Sequence, residues 1–198
     1  MAKDKAATQV ALEQFKEQQW KQARKFGGIG WPWRDKSAFA LILAVLGNEV
    51  RLVVESSAPT LPWLYEWCKA RRAEYRVLDW FTDLADPAME AWRYLSDQDV
   101  AGGRWDVEPT AAPMCGHPDE LAAYFFDVRL RTMGGPKTLH FGESILPGIL
   151  RQFPVEDMGR QAREYPPLAA LGYVLTGVAM AGSPSVAGVT RGGWAAWT

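Results

Sequence analysis

The sequence predicts an α/β fold: a small, partly parallel sheet flanked by helices, with an N-terminal helix and a C-terminal tail. Three observations predict it. Residues 50–81 read strand, helix, strand: a β-branched apolar run at 50–55, a turn at Ser56-Ser57-Ala58-Pro59, a helical stretch at 60–75, and a second apolar run at 76–81. A βαβ unit joins parallel strands through a covering helix. Asp86-Pro87 is a helix start, because a carboxylate caps and proline loses nothing in the first turn. Residues 168–181 are apolar on every side, and a helix of that character is buried.

Taken in order, residues 8–26 have helical spacing, with Thr8, Leu12, Phe15, Gln19, Ala23 and Phe26 on one thin stripe. Gly27-Gly28 is expected to stop this helix, which sets a first segment at 1–28. The α/β domain is then expected at 29–182 and the tail at 183–198. Residues 27–36 read as a loop. Residues 38–46 fit two patterns: Phe39, Ile42, Leu43 and Leu46 recur at helical spacing, while Phe39, Leu41, Leu43 and Val45 alternate as in a strand. The helical reading is preferred. Residues 60–75 carry Leu61, Leu64, Tyr65, Cys68 and Tyr75 on one face, with Cys68 as a small buried hydrophobe.

The helix after Pro87 fades by Asp97, and 98–119 looks irregular. A short helical lead is expected at 119–124. A half-buried strand follows at 125–132, with an antiparallel return at 137–141. A helix spans 144–153, and a polar turn or a short helix lies at 158–164. The tail is glycine-rich yet carries Trp194 and Trp197.

Composition excludes several classes. The 198 residues hold 22 basic and 23 acidic side chains, for a net charge of −1, so no bulk field draws nucleic acid or an anionic membrane. Two cysteines make no disulfide framework, and the polar opening Met1-Ala2-Lys3-Asp4-Lys5 is unlike a secretory leader. The longest apolar run is too short to span a bilayer. A cytoplasmic protein with no membrane partner is expected. Ten tryptophans are unusual for this length; the residue type is enriched where one end is buried and the other meets a partner.

Candidate chemistry is sparse. Gly30 to Ser37 has the outline of a phosphate loop, with Gly30, Lys36 and Ser37 as its binding residues. Asp35 adds negative charge where phosphate would lie, and Pro32 removes an amide from the cradle. Glu55, Asp79 and Asp83, with Asp86 near, offer carboxylates for a divalent metal in a nuclease-like reaction, a reading that a hairpin over 38–55 would favour. Cys115, His117, His140 and Cys68 lack the spacing of a structural zinc site. Trp31, Trp33 and Arg34, with Arg24 and Lys25, offer a weak stacking surface for single strands.

The expected role is therefore non-catalytic protein–protein interaction or assembly, through Leu12, Phe15, Trp31, Trp33, Trp194 and Trp197. A protein partner or a second copy is expected, with no cofactor. A nucleotide- or nucleic-acid-binding protein is the second reading and a metal-dependent nuclease the third.

Overall fold

The structure is a computed structural model that describes residues 2–47, 49–98, 107–112, 139–153 and 164–182. Its elements are helix α1 (Ala2–Gln22), strands β1 (Arg24–Gly30), β2 (Ala38–Leu46) and β3 (Glu49–Ala58), helix α2 (Leu61–Tyr75), strand β4 (Trp80–Thr82), helix α3 (Ala88–Gln98), strands β5 (Pro109–Ala111) and β6 (Leu139–His140), and helices α4 (Leu146–Gln152) and α5 (Pro166–Gly182). The expected α/β architecture holds: one mixed six-stranded sheet lies between helical layers, in the order β5-β4-β1-β2-β3-β6.

β1, β2 and β3 form an antiparallel meander, while β4 lies parallel to β1, β5 to β4, and β6 to β3. β2 alone therefore runs against the other five described strands. The strand–helix–strand unit of residues 50–81 is β3-α2-β4, but its two strands are not neighbours: α2 carries the chain across β2 and β1 before β4 pairs with β1. Thr60 caps α2 by accepting from the Trp63 amide at 3.3 Å. Arg76 closes it in the left-handed region, at φ 56°. The second strand thus starts at Trp80 and not at residue 76.

Each face of the sheet has its own core. Phe39, Leu41 and Leu43 of β2 join Phe26, Phe81, Leu146, Leu150 and the α5 residues Leu168 to Leu175 on one side. Ala38, Ala40 and Ile42 join Ile29, Trp80, Leu64, Tyr65, Cys68, Met89 and Trp92 on the other. Residues 38–46 are thus a strand, which overturns the helical reading. A central strand buried on both faces has no polar positions to mark a period of two, so its apolar run also satisfies a helical template.

The helix expected at 8–26 ends at Gln22, and Phe26 enters the core from β1. β1 crosses the boundary expected at residue 28. Its glycines hid the strand, because glycine is depleted from strands in general. Here close packing requires them. A Cβ on Gly28 would stand 2.1 Å from the Ala170 carbonyl oxygen, one on Gly30 1.9 Å from that of Pro166, and one on Gly27 2.1 Å from the Trp80 ring. β1 is the seat of α5.

Within 98–119, Pro109–Ala111 pairs with β4. Leu139–His140 pairs parallel with β3, whereas an antiparallel return was expected; its expected partner at 125–132 and the lead at 119–124 lie outside the described residues. Among the described residues four tryptophans, at 20, 31, 80 and 92, are buried. Trp92 meets Trp31 and Tyr65 edge-on, with ring centroids 5.4 and 5.1 Å away. Much of the tryptophan excess is therefore core. Among the described residues no helix is long and apolar enough to cross a membrane.

Candidate functional site at the root of the N-terminal helix

α1 leaves the body of the domain. Residues 9–19 are all exposed, and Val10, Leu12 and Phe15 are 53, 53 and 57% accessible. Apolar packing begins at Trp20, which with Ala23 packs on Ala44 of β2, flanked by Leu46 and Val53. The next residue is already strand, and Lys25 closes the corner by donating from Nζ to the carbonyls of Lys21 (2.8 Å) and Ala23 (3.0 Å). A cation on the last carbonyls of a helix is favoured by their partial negative charge.

Beside this corner is a groove of about 690 Å³, between the end of α1, the near ends of β2 and β3, and the end of α2. Trp20, Ala44, Leu52, Val53 and Leu78 supply its apolar lining. Lys21, Arg24, Lys25, Arg51 and Arg76 supply positive charge, against two carboxylates, Glu17 and Glu74. Arg51 Nη1 donates to Glu17 Oε1 at 2.8 Å, and its guanidinium lies 4.6 Å from the centroid of the Trp20 ring. Arg71 pairs with Glu74 one turn before the cap. The hydrogen bond to Glu74, followed by burial, pushes the Tyr75 hydroxyl above its ordinary range. Burial, and then the like charge of Arg76, pull the Lys25 ammonium below its ordinary range.

The residues expected to carry chemistry are placed elsewhere and apart. Gly30 ends β1 against Pro166. Trp33 and Lys36 exchange backbone hydrogen bonds of 3.2 and 2.9 Å, so the loop is a tight hairpin connection and Ser37 leads into a strand. A phosphate loop leads into a helix whose amides face the ligand. Lys36 Nζ donates to the Glu164 carbonyl at 2.8 Å and lies 3.3 Å from the Tyr165 ring centroid, which ties the hairpin to the start of α5.

Glu55 Oε2 accepts from Ser144 Oγ at 2.8 Å and Oε1 from the Ile145 amide at 2.9 Å, holding the entry to α4. Asp83 accepts from the Ala85 amide and Asp86 from that of Ala88, both in the turn before α3. Asp79 precedes β4, at the opposite end of that strand from Asp83. β3 and β4 are separated by β2 and β1, about 14 Å of sheet at about 4.8 Å per strand. Among the described residues no three His, Cys, Asp or Glu side chains gather as a metal would need. Cys68 is buried, and His140 is an exposed neighbour of Glu49. Cys115 and His117 lie outside the described residues.

Trp31 is 4% exposed, and its Nε1 donates to the Asp83 carbonyl at 2.8 Å. It is a core residue. Trp33 is half-buried beside it, in a small cleft with Asp86, Pro87 and Tyr173. Leu12 and Phe15 are exposed, and Trp194 and Trp197 lie outside the described residues.

The chain matches no protein-family model, and no curated protein or solved structure is significantly similar to it.

Sequence reasoning missed the groove. Its cations come from four separate elements or their ends, so they form no run in the sequence. One local signal was present: Arg51 interrupts the apolar strand between Val50 and Leu52, where a charge has to find an outlet.

Proposed function

We propose that this chain is a non-catalytic assembly protein that pairs with a second copy of itself through α1. The observation that carries the reading is the exposure of residues 9–19 on every side of that helix. An isolated helix of such length is marginal in water, and most helical stability comes from packing an apolar face. Leu12 and Phe15 provide that face.

The occupant is argued from charge. At about 100° per residue, Ala11, Leu12, Phe15 and Gln19 fall on one side of α1, and all are uncharged. Glu13, Glu17 and Lys21 fall on the other side, where Glu17 meets Arg51. A two-fold interface sets a surface against its own copy, so an uncharged stripe can be buried there without desolvating or opposing charges. The cytoplasm is the compartment we propose for this assembly, because two cysteines make no disulfide framework. The nucleotide and metal readings at Lys36 and at Glu55, Asp79 and Asp83 have less support, because those side chains are occupied or far apart.

The test is solution mass by light scattering at tens of micromolar. The wild-type protein should have twice the chain mass. Leu12→Glu with Phe15→Glu should halve that mass and shift the melting temperature little, since neither side chain packs on the domain. A wild-type protein that is monomeric at these concentrations would overturn the proposal.

A further inference from the structure

We propose that the groove at the root of α1 is a binding site for a mononucleotide, with phosphate held by the Arg51–Arg76 side and the base lying on the apolar floor. The inference is independent of the assembly reading: it concerns the inner corner of α1 and not its outer stripe.

Size and lining come first. A volume of about 690 Å³ lies within the span of small-molecule sites, roughly 300–1,000 Å³. The lining combines an apolar floor of Trp20, Ala44, Val53 and Leu78 with a positive rim. That combination suits a ligand with a flat apolar part and an anionic part, and inorganic phosphate would use only the rim. Five cations face two carboxylates in a chain whose overall charge is −1, so the positive excess is local to this groove.

The cations are also arranged to receive an anion. Arg51 stacks on Trp20, which fixes a planar fork of donors beside an aromatic surface. Its present partner Glu17 is 60% exposed, and a solvent-exposed pair of this kind is worth little, so a phosphate can take its place. Arg76 is held at the corner of the groove by its place as the left-handed C-cap of α2, where its amide donates to the Arg72 carbonyl. That position puts a second guanidinium-bearing residue on the same groove. Lys25 lies in the field of Arg76, and an anion in the groove would relieve that repulsion.

The experiment measures melting temperature and tryptophan fluorescence of the full chain with ATP, GTP, CTP and UTP, each in EDTA, beside the matching nucleosides, inorganic phosphate and a dT12 oligonucleotide. At least one nucleotide should raise the melting temperature in a saturable way. Its nucleoside and phosphate alone should bind more weakly by about tenfold or more. Arg51→Gln and Arg76→Gln should each weaken nucleotide binding about tenfold or more. Arg93→Gln, on the exposed face of α3 and outside the groove's lining, should bind as wild type. Where an arginine variant melts early, Lys21→Gln, exposed at the end of α1, is the substitute and should weaken binding. Loss of all nucleotide response in the wild type, wild-type affinity in the groove variants, equal affinity for inorganic phosphate, or a response to dT12 alone would each overturn the proposal.

Discussion

At the scale of single residues, the glycines of β1 show how a packing constraint can pass for a chemical motif. Gly30 opens the apparent phosphate loop, yet what it admits is the backbone of α5. A Cβ at that position meets a carbonyl oxygen at 1.9 Å, and backbone cannot rotate away as a side chain can. Gly30→Ala should therefore cost about 1–3 kcal/mol by overpacking. For a chain of this size each kcal/mol is about 2–4 °C, so thermal melting should fall by several degrees. Gly47→Ala is the comparison: a Cβ there meets nothing within 4 Å, and only the positive φ of 58° opposes it. A loss at Gly30 no larger than that at Gly47 would show that the close approach of α5 is not what Gly30 supplies, since Gly30 itself has no positive φ. Lys36 has the same lesson. It was legible as a phosphate lysine from its place before Ser37, but its ammonium is bound to Glu164 and Tyr165, 128 residues away, a partner that spacing cannot show.

At the scale of elements, legibility followed the strength of local punctuation. α2 was readable because Thr60 and Pro62 mark its start. α3 was readable from Asp86-Pro87, and α5 from a double proline and an apolar run. β2 was misread because burial on both faces erases its period, and β1 because three glycines mask it. α2 also tests the reading of its own buried face. Cys68 is fully buried among Leu64, Tyr65 and Trp80, and burial pushes its thiol well above the ordinary range. A thiol that stays protonated is a poor nucleophile. In a Cys115→Ser background, Cys68 should not react with a disulfide reagent in native buffer over hours and should react promptly in denaturant. Rapid native labelling would mean that α2 lifts from the sheet on that timescale. The candidate groove was illegible at this scale altogether, since its lining is drawn from α1, β1, β2, β3 and the end of α2.

At the scale of the whole molecule, the fold class was legible but the topology was not. The strand–helix–strand pattern gives parallel strands without saying how many strands the helix steps over, and here it steps over two. The placement of α5 is equally non-local: one side of the sheet, from Phe26 to Phe81, is covered largely by residues 168–175. Exposed apolar surface costs about 25 cal/mol per Å², so the sheet should not persist without that helix. A chain ending at residue 163 should show no cooperative thermal transition and should bind a hydrophobic dye. A sharp transition in the truncated chain would indicate that the meander and α2 form a unit stable by themselves.

The seating of α5 on the β1 glycines has a consequence for biosynthesis. The strand that needs this helix leaves the ribosome early, and roughly 140 further residues separate Gly28 from Ala170, about 7–28 seconds of translation at about 5–20 residues per second. Throughout that interval the hairpin of β1 and β2 presents Phe26, Phe39, Leu41 and Leu43 without α5, and only Phe81 and then Leu146 and Leu150 of the same core follow before it. Nascent chains of this protein are thus natural clients for a chaperone that holds apolar segments, and slowing elongation would lengthen their dependence on it.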